Sequence, residues 1–337
     1  MSAFEVHGRK FEVWDVHASR HEYYFEPPRS LRHLLLRSIK DPRDAPVLFL
    51  LFDIVVFAVP WLATVCLLKS SAVSFAFWAV NVWLFQERFL IGMRHSHKGL
   101  FKSRFADWAV LAVLSPLFGI PCGLYYLHVV VHQWDLSSTE TYQRDNPLHF
   151  LVYWLRFLLL IWFELPYYAL RRRRLALALG ACAGTICFFG MVWASMAWMF
   201  VLPTIVNSLL FMFSNWSQHI FIDPSKPRCD YHMTYNLIND PCNQRTFNDG
   251  YHIEHHANSR KHWSELPSSF VQNIDRYVEE DAIVFEGLNV FKVGMLVFLG
   301  RYDILAEHVV PLAPRSPEGV EAWLRSRLVP IGRCDSA

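Results

Sequence analysis

Charge is scarce in this sequence. Of 337 residues, 18% are Asp, Glu, Lys or Arg, whereas 53% are hydrophobic and 16% aromatic. An ordinary soluble domain carries about 25% charge, so the balance is shifted towards a bilayer, and disorder, collagen and coiled coil are excluded. Cysteine is also thin. The 7 cysteines are scattered, four of them in apolar stretches (Cys66, Cys122, Cys182, Cys187), with no CxxC pair. That pattern excludes a disulfide framework and leaves reduced thiols. Net charge is only +2, which excludes bulk electrostatic attraction to nucleic acid. No internal repeat is visible. The basic start and apolar core of a cleavable leader are missing too: the first 45 residues hold eight Lys/Arg and seven Asp/Glu and read as a polar, water-facing arm.

The long apolar runs are what the sequence does have. Residues 46–68 and 72–93 are each about 20 residues long, enough to cross a hydrocarbon core, and only Lys69, Ser70 and Ser71 lie between them. They predict a tight helical hairpin. Residues 175–218 contain no Asp, Glu, Lys, Arg or His; this is roughly twice one span, and division near Pro203 gives a second hairpin. Arg171 to Arg174 precede the second hairpin, and Arg94, Lys98, Lys102 and Arg104 follow the first. Cytoplasmic loops are rich in Lys and Arg, so both hairpins enter from the cytosol and only Lys69 lies on the far side. Residues 108–131, with Pro116 and Pro121, and 148–169, with Arg156, Glu164 and Pro166, suit re-entrant or interfacial helices. The mixed segment 286–310 reads as a further interfacial helix.

None of the 16 histidines lies inside the four predicted spans, which disfavours a transmembrane ligand path. His95 and His97 follow the second span, and His219 follows the fourth. His128, His132, His252, His255 and His256 are assigned to the same cytosolic face. Imidazole ligates transition metals, and i, i+4 ligands on a helix point to one side, as His128 and His132 would. In DGYHIEHH, three imidazoles fall within residues 252–256, with Asp249 and Glu254 able to accept a second ring N–H. Asn215 lies one turn before His219. His95 and His97, at i, i+2, point roughly 200° apart on a helix, so both serve one site only if the helix ends or the centre is dinuclear. Asp135, Arg144 and Asp145 either orient ligand imidazoles or form a solvated surface network.

The order HSHK, HVVVHQ, NWSQH and DGYHIEHH resembles the membrane fatty acid desaturase and hydroxylase superfamily, with its three histidine boxes. The third box (His252, His255, His256) matches in full. In the second, His128 and His132 match and Gln133 stands where a histidine is expected; in the first, Met93 occupies the usual first position and His95 is the available substitute. NWSQH is similar to the Asn and His that some acyl-CoA desaturases add to the iron shell. The resemblance implies an all-α integral membrane fold of two transmembrane hairpins, with interfacial helices and a cytosolic helical metal-binding cap. The arm would be 1–45, the membrane domain 46–280, and an interfacial helix with the C-terminal tail 281–337. It implies two non-haem iron ions held by His97, His128, His132, His219, His252, His255 and His256, with His95, Asn215 and Gln133 as further candidates. Dioxygen would be the co-substrate, and the reaction would desaturate a lipid acyl chain. Hydroxylation of an acyl chain, alkane or carotenoid is the nearest alternative. Met93 and Gln133 motivate another, a non-catalytic lipid-binding protein on the same scaffold. No HPGG haem segment and no GxGxxG fingerprint is present, so electrons would come from a separate cytochrome b5 or ferredoxin. Arg171 to Arg174 could dock such a donor or anionic headgroups, or serve only as the topology signal. The endoplasmic reticulum membrane, with both termini cytosolic, is the expected location, with a plastid or bacterial inner membrane as the alternatives.

Overall fold

The computed structural model describes residues 2–17, 23–68, 71–86, 89, 99–114, 118, 138–191 and 197–332. Met93, His95, His97, His128, His132, Gln133 and Asp135 lie outside the described residues. The chain divides into two units, one of residues 1–20, 137–153 and 212–337, the other of residues 21–136 and 154–211.

In the second unit, the helix Ala45–Leu68 covers the first predicted span. It is followed by the helix Ser71–Asn81, which runs on into a π-helical turn, Val82–Gln86. Asp53, the acid in the first span, is buried and accepts the backbone N–H groups of Tyr24 and Phe25. The apolar run 175–218 forms the helices Leu175–Met191 and Ala197–Gln218. Pro203 lies inside the second helix, so the expected division does not fall at this proline; residues 192–196 lie outside the described residues. Apolar helices tolerate an internal proline when neighbouring groups satisfy the freed carbonyl.

Residues 148–169 do not form a broken segment. They lie within one 25-residue helix, Pro147–Arg171, that contains Pro166. Among the described residues it is the one helix long and apolar enough to cross a membrane. Arg156 and Glu164 are accommodated because they pair with each other at 3.7 Å. The segment 286–310 is not one helix either. Glu286 closes a strand, and the helix Val290–Phe298 starts where the Asn289 side chain accepts the Lys292 N–H (2.9 Å). The helix Tyr302–Glu307 follows.

Two small sheets depart from an all-helical fold. Ala3–Val6 pairs antiparallel with Arg9–Glu12 through a turn at His7 and Gly8. This hairpin is not a solvated arm. Period-2 alternation turns Phe4 and Val6 inward, and with Val13 they join a core containing Tyr251, Ile253, Phe270 and Tyr277. The second sheet pairs Asn236–Ile238 in parallel with Val284–Glu286, and an antiparallel bridge from Asn236 to Tyr251 brings in the residue before His252. Gly250 fits there because a Cβ would meet the Leu237 carbonyl at 2.9 Å.

Candidate metal centre

His219 stands at the C-terminal end of the helix Ala197–Gln218, where the last carbonyls have no intrahelical partner. Side chains supply those partners. The Tyr235 hydroxyl donates to the Ser217 carbonyl (2.8 Å), Thr234 to Gln218 (2.6 Å) and Thr139 to His219 (2.9 Å). Arg144 Nε donates to the Ile220 carbonyl at 2.9 Å. The helix end is thus fixed, and the His219 backbone with it. Its ring is fixed as well, because Nδ1 lies 3.0 Å from the Met233 carbonyl. A carbonyl can only accept, so Nδ1 carries the proton and Nε2 bears the lone pair that a metal would take.

The second contribution is the short helix His252–Ala257. His252 and His256 are four residues apart and share a face. Asn236 positions this helix by accepting the Ile253 N–H at 2.9 Å. The ligating atoms of His219, His252 and His256 all lie within 4.8 Å of one another. Ring centroids are 5.2 Å apart for His219 and His252, 5.1 Å for His219 and His256, and 4.8 Å for His252 and His256. The Nε2 atoms of His219 and His252 face each other at 3.4 Å. That is beyond the usual N–H hydrogen-bond range. Metal–imidazole bonds of about 2.0–2.1 Å place neighbouring ligand nitrogens about 3.0–3.4 Å apart, so the arrangement fits a shared cation. His252 is buried and His219 and His256 are half-buried.

The remaining candidates are placed differently. His255 is buried and stacks beside His252, with centroids 5.6 Å apart. The Asn215 amide donates to the Tyr153 hydroxyl at 2.8 Å. Asp249 lies between the two contributing segments, accepting from Gln218 Nε2 while its other oxygen is 3.9 Å from His252 Nδ1. Glu254 is engaged elsewhere: it accepts from Lys261 Nζ (2.8 Å), the Tyr277 hydroxyl (3.0 Å), Ser269 and Asn273, none of which is an imidazole. Burial and the Glu254 charge push the Tyr277 hydroxyl well above its ordinary pKa, which keeps it a donor to that carboxylate. Asp145 accepts from Gln143 at 2.6 Å.

Arg144 is fully buried, and its guanidinium addresses backbone carbonyls: besides Ile220, it reaches Arg327 at 2.7 Å and Val329 at 2.8 Å. Burial lowers its pKa to about 10, against the opposing charges of Glu140 and Asp145. It joins the C-terminal segment to the end of the helix that carries His219.

Sequence reasoning missed Asp15. It is fully buried, and its Oδ2 accepts the Asn239 N–H (2.8 Å), the Asn243 amide (3.0 Å) and the Tyr251 hydroxyl (2.7 Å). It therefore fixes the turn that leads into His252. The available signal was a lone acid within an apolar run, Val13 to Val16.

A helical protein with an imidazole cluster at the end of an apolar helix is the class these features define. The Fatty acid desaturase family model matches residues 90–285, more than half of the chain, and the protein belongs to that family. Membership makes it an oxidoreductase of lipids in a membrane setting. No curated protein and no solved structure matches it. The matched region includes the imidazole cluster but leaves out both Asp15 and Arg327.

Proposed function

We propose that the protein is an oxygen-dependent desaturase of a fatty acyl chain, built around non-haem iron. The observation that supports this is the meeting of His219, His252 and His256 in a chain of the desaturase family. No side-chain base can deprotonate an unactivated methylene, and iron, when bound, supplies the oxidising power for that C–H bond with dioxygen. His219, His252 and His256 would hold one ion. His255, His97, His128 and His132 are proposed to complete the set for two, with His95, Asn215 and Gln133 as weaker contributors. The Met233 carbonyl keeps the His219 proton on Nδ1, and an Asp249 oxygen stands 3.9 Å from His252 Nδ1. The buried surroundings of His252 restrict water at this edge of the cluster. Electrons would come from a separate cytochrome b5 or ferredoxin.

The proposed setting is the endoplasmic reticulum membrane, with four spans and the histidines on the cytosolic side. The helix Pro147–Arg171 is proposed as an interfacial helix beside these four spans.

Elemental analysis of the detergent-purified chain, paired with mass spectrometry of lipids from expressing cells, tests the proposal. Bound iron that is lost in His252→Ala and His256→Ala, with acyl chains two hydrogens lighter, is the expected outcome. A product heavier by one oxygen would replace desaturation with hydroxylation. No iron after growth in iron-replete medium would favour a non-catalytic lipid-binding protein.

A further inference from the structure

A second group of metal-ligating side chains lies apart from the imidazole cluster. Cys229 and His232 stand on one tight turn, closed by the His232 N–H donating to the Cys229 carbonyl at 2.8 Å. Glu280 approaches from the end of the helix Ile274–Glu279. One ligating atom from each of Cys229, His232 and Glu280 lies within 4.8 Å of the others. Cys229 is a free thiol, half-buried, and His232 is 4% exposed.

We infer that Cys229, His232 and Glu280 form a second metal site, for a divalent transition cation of the zinc class. Thiolate, imidazole and carboxylate are the donors such an ion takes, at about 2.0–2.3 Å. Donors at those bond lengths lie a little over 3 Å apart, and His232 Nε2 is 3.0 Å from Glu280 Oε2. The other ring nitrogen, Nδ1, lies 3.3 Å from Asp223 Oδ2, a carboxylate placed to orient a ligating imidazole. Arg327 pairs with the same Asp223 oxygen at 3.4 Å.

Lys226 Nζ sits 2.9 Å from the Glu280 oxygen that His232 also contacts. This ammonium takes the place of the metal against Glu280. Its side chain is 54% exposed, so it can swing into water when a cation arrives, while the Cys229 thiol releases its proton. The carbonyl that fixes His219 belongs to Met233, the next residue after His232. A cation at Cys229 and His232 would therefore stiffen the turn that orients a ligand of the first centre. The assignment does not rest on the proposed desaturase activity.

Cobalt titration of the metal-stripped, full-length chain in detergent tests the site. Only a sulfur ligand gives a near-ultraviolet thiolate-to-cobalt band, and the imidazole cluster has none. The band is expected in the parent chain and in His219→Ala, lost in Cys229→Ser, and displaced by zinc. Glu280→Gln should weaken cobalt binding by about tenfold or more. Lys226→Met, on an exposed stem where folding is not at risk, should tighten it by removing the competing cation. No band in the parent, a band unchanged in Cys229→Ser, or binding not tightened in Lys226→Met would overturn the assignment.

Discussion

Asp15 is the residue whose substitution best tests how the protein builds its imidazole cluster. Three donors converge on one oxygen, from the Asn239 backbone, the Asn243 amide and the Tyr251 hydroxyl, at 2.7–3.0 Å. Asp15→Ala leaves all three without that acceptor in a dry interior, where an unsatisfied buried donor costs about 1–3 kcal/mol. Some relaxation is expected at Asn239, which has further side-chain bonds to the Glu12 carbonyl and Glu286. The expected loss is therefore about 3–5 kcal/mol in all. For a cooperative unit of about 150–250 residues, that lowers the unfolding temperature by roughly 6–20 °C. Asp15→Asn keeps an acceptor oxygen of the same shape but loses the charge, and should cost about half as much. The assay is thermal unfolding in detergent with iron measured on the same samples. Metal should fall with stability, because Tyr251 adjoins His252. An Asp15→Ala protein that melts within about 1 °C of the parent and retains its iron would refute this account of the turn.

Arg144→Met removes the donors that hold the Ile220, Arg327 and Val329 carbonyls, and should cost about 3–5 kcal/mol; hydrogen exchange should rise at residues 219–222 and 327–329 together. Gly294→Ala places a Cβ against Ser217 and Phe213, and overpacking of this kind costs about 1–3 kcal/mol, read as a lower unfolding temperature. Glu254→Gln and His256→Ala should separate folding from metal binding. The first weakens the bonds to Lys261 and Tyr277 and destabilises by about 1–3 kcal/mol with iron retained in the folded fraction. The second should lose iron with little change in unfolding of the metal-free protein, as elemental analysis and calorimetry would show.

The sequence by itself determined the features that depend on near neighbours. An apolar run of span length forms a helix because the backbone can meet its own hydrogen bonds, and 46–68 does so. His252 and His256 share a face because four residues make about one turn, so their pairing was legible in HIEHH. Composition and the histidine boxes together were enough to indicate the family.

Only the tertiary structure decided what the boxes meet. Glu254 was within reach of the imidazoles by spacing, yet its carboxylate bonds Lys261 and Tyr277, because a buried charge is held where several donors are available. Arg144, left by the sequence between orienting ligand imidazoles and a solvated surface network, is instead buried and holds backbone carbonyls from segments far apart in the chain. Pro203 did not end a helix, and Arg156 with Glu164, paired with each other, did not break one, so local preference was overridden at both places. Asp15 reaches the turn before His252 across more than 220 residues. Such a bond leaves no periodic trace in the sequence, since it depends on which surfaces the folded chain brings together.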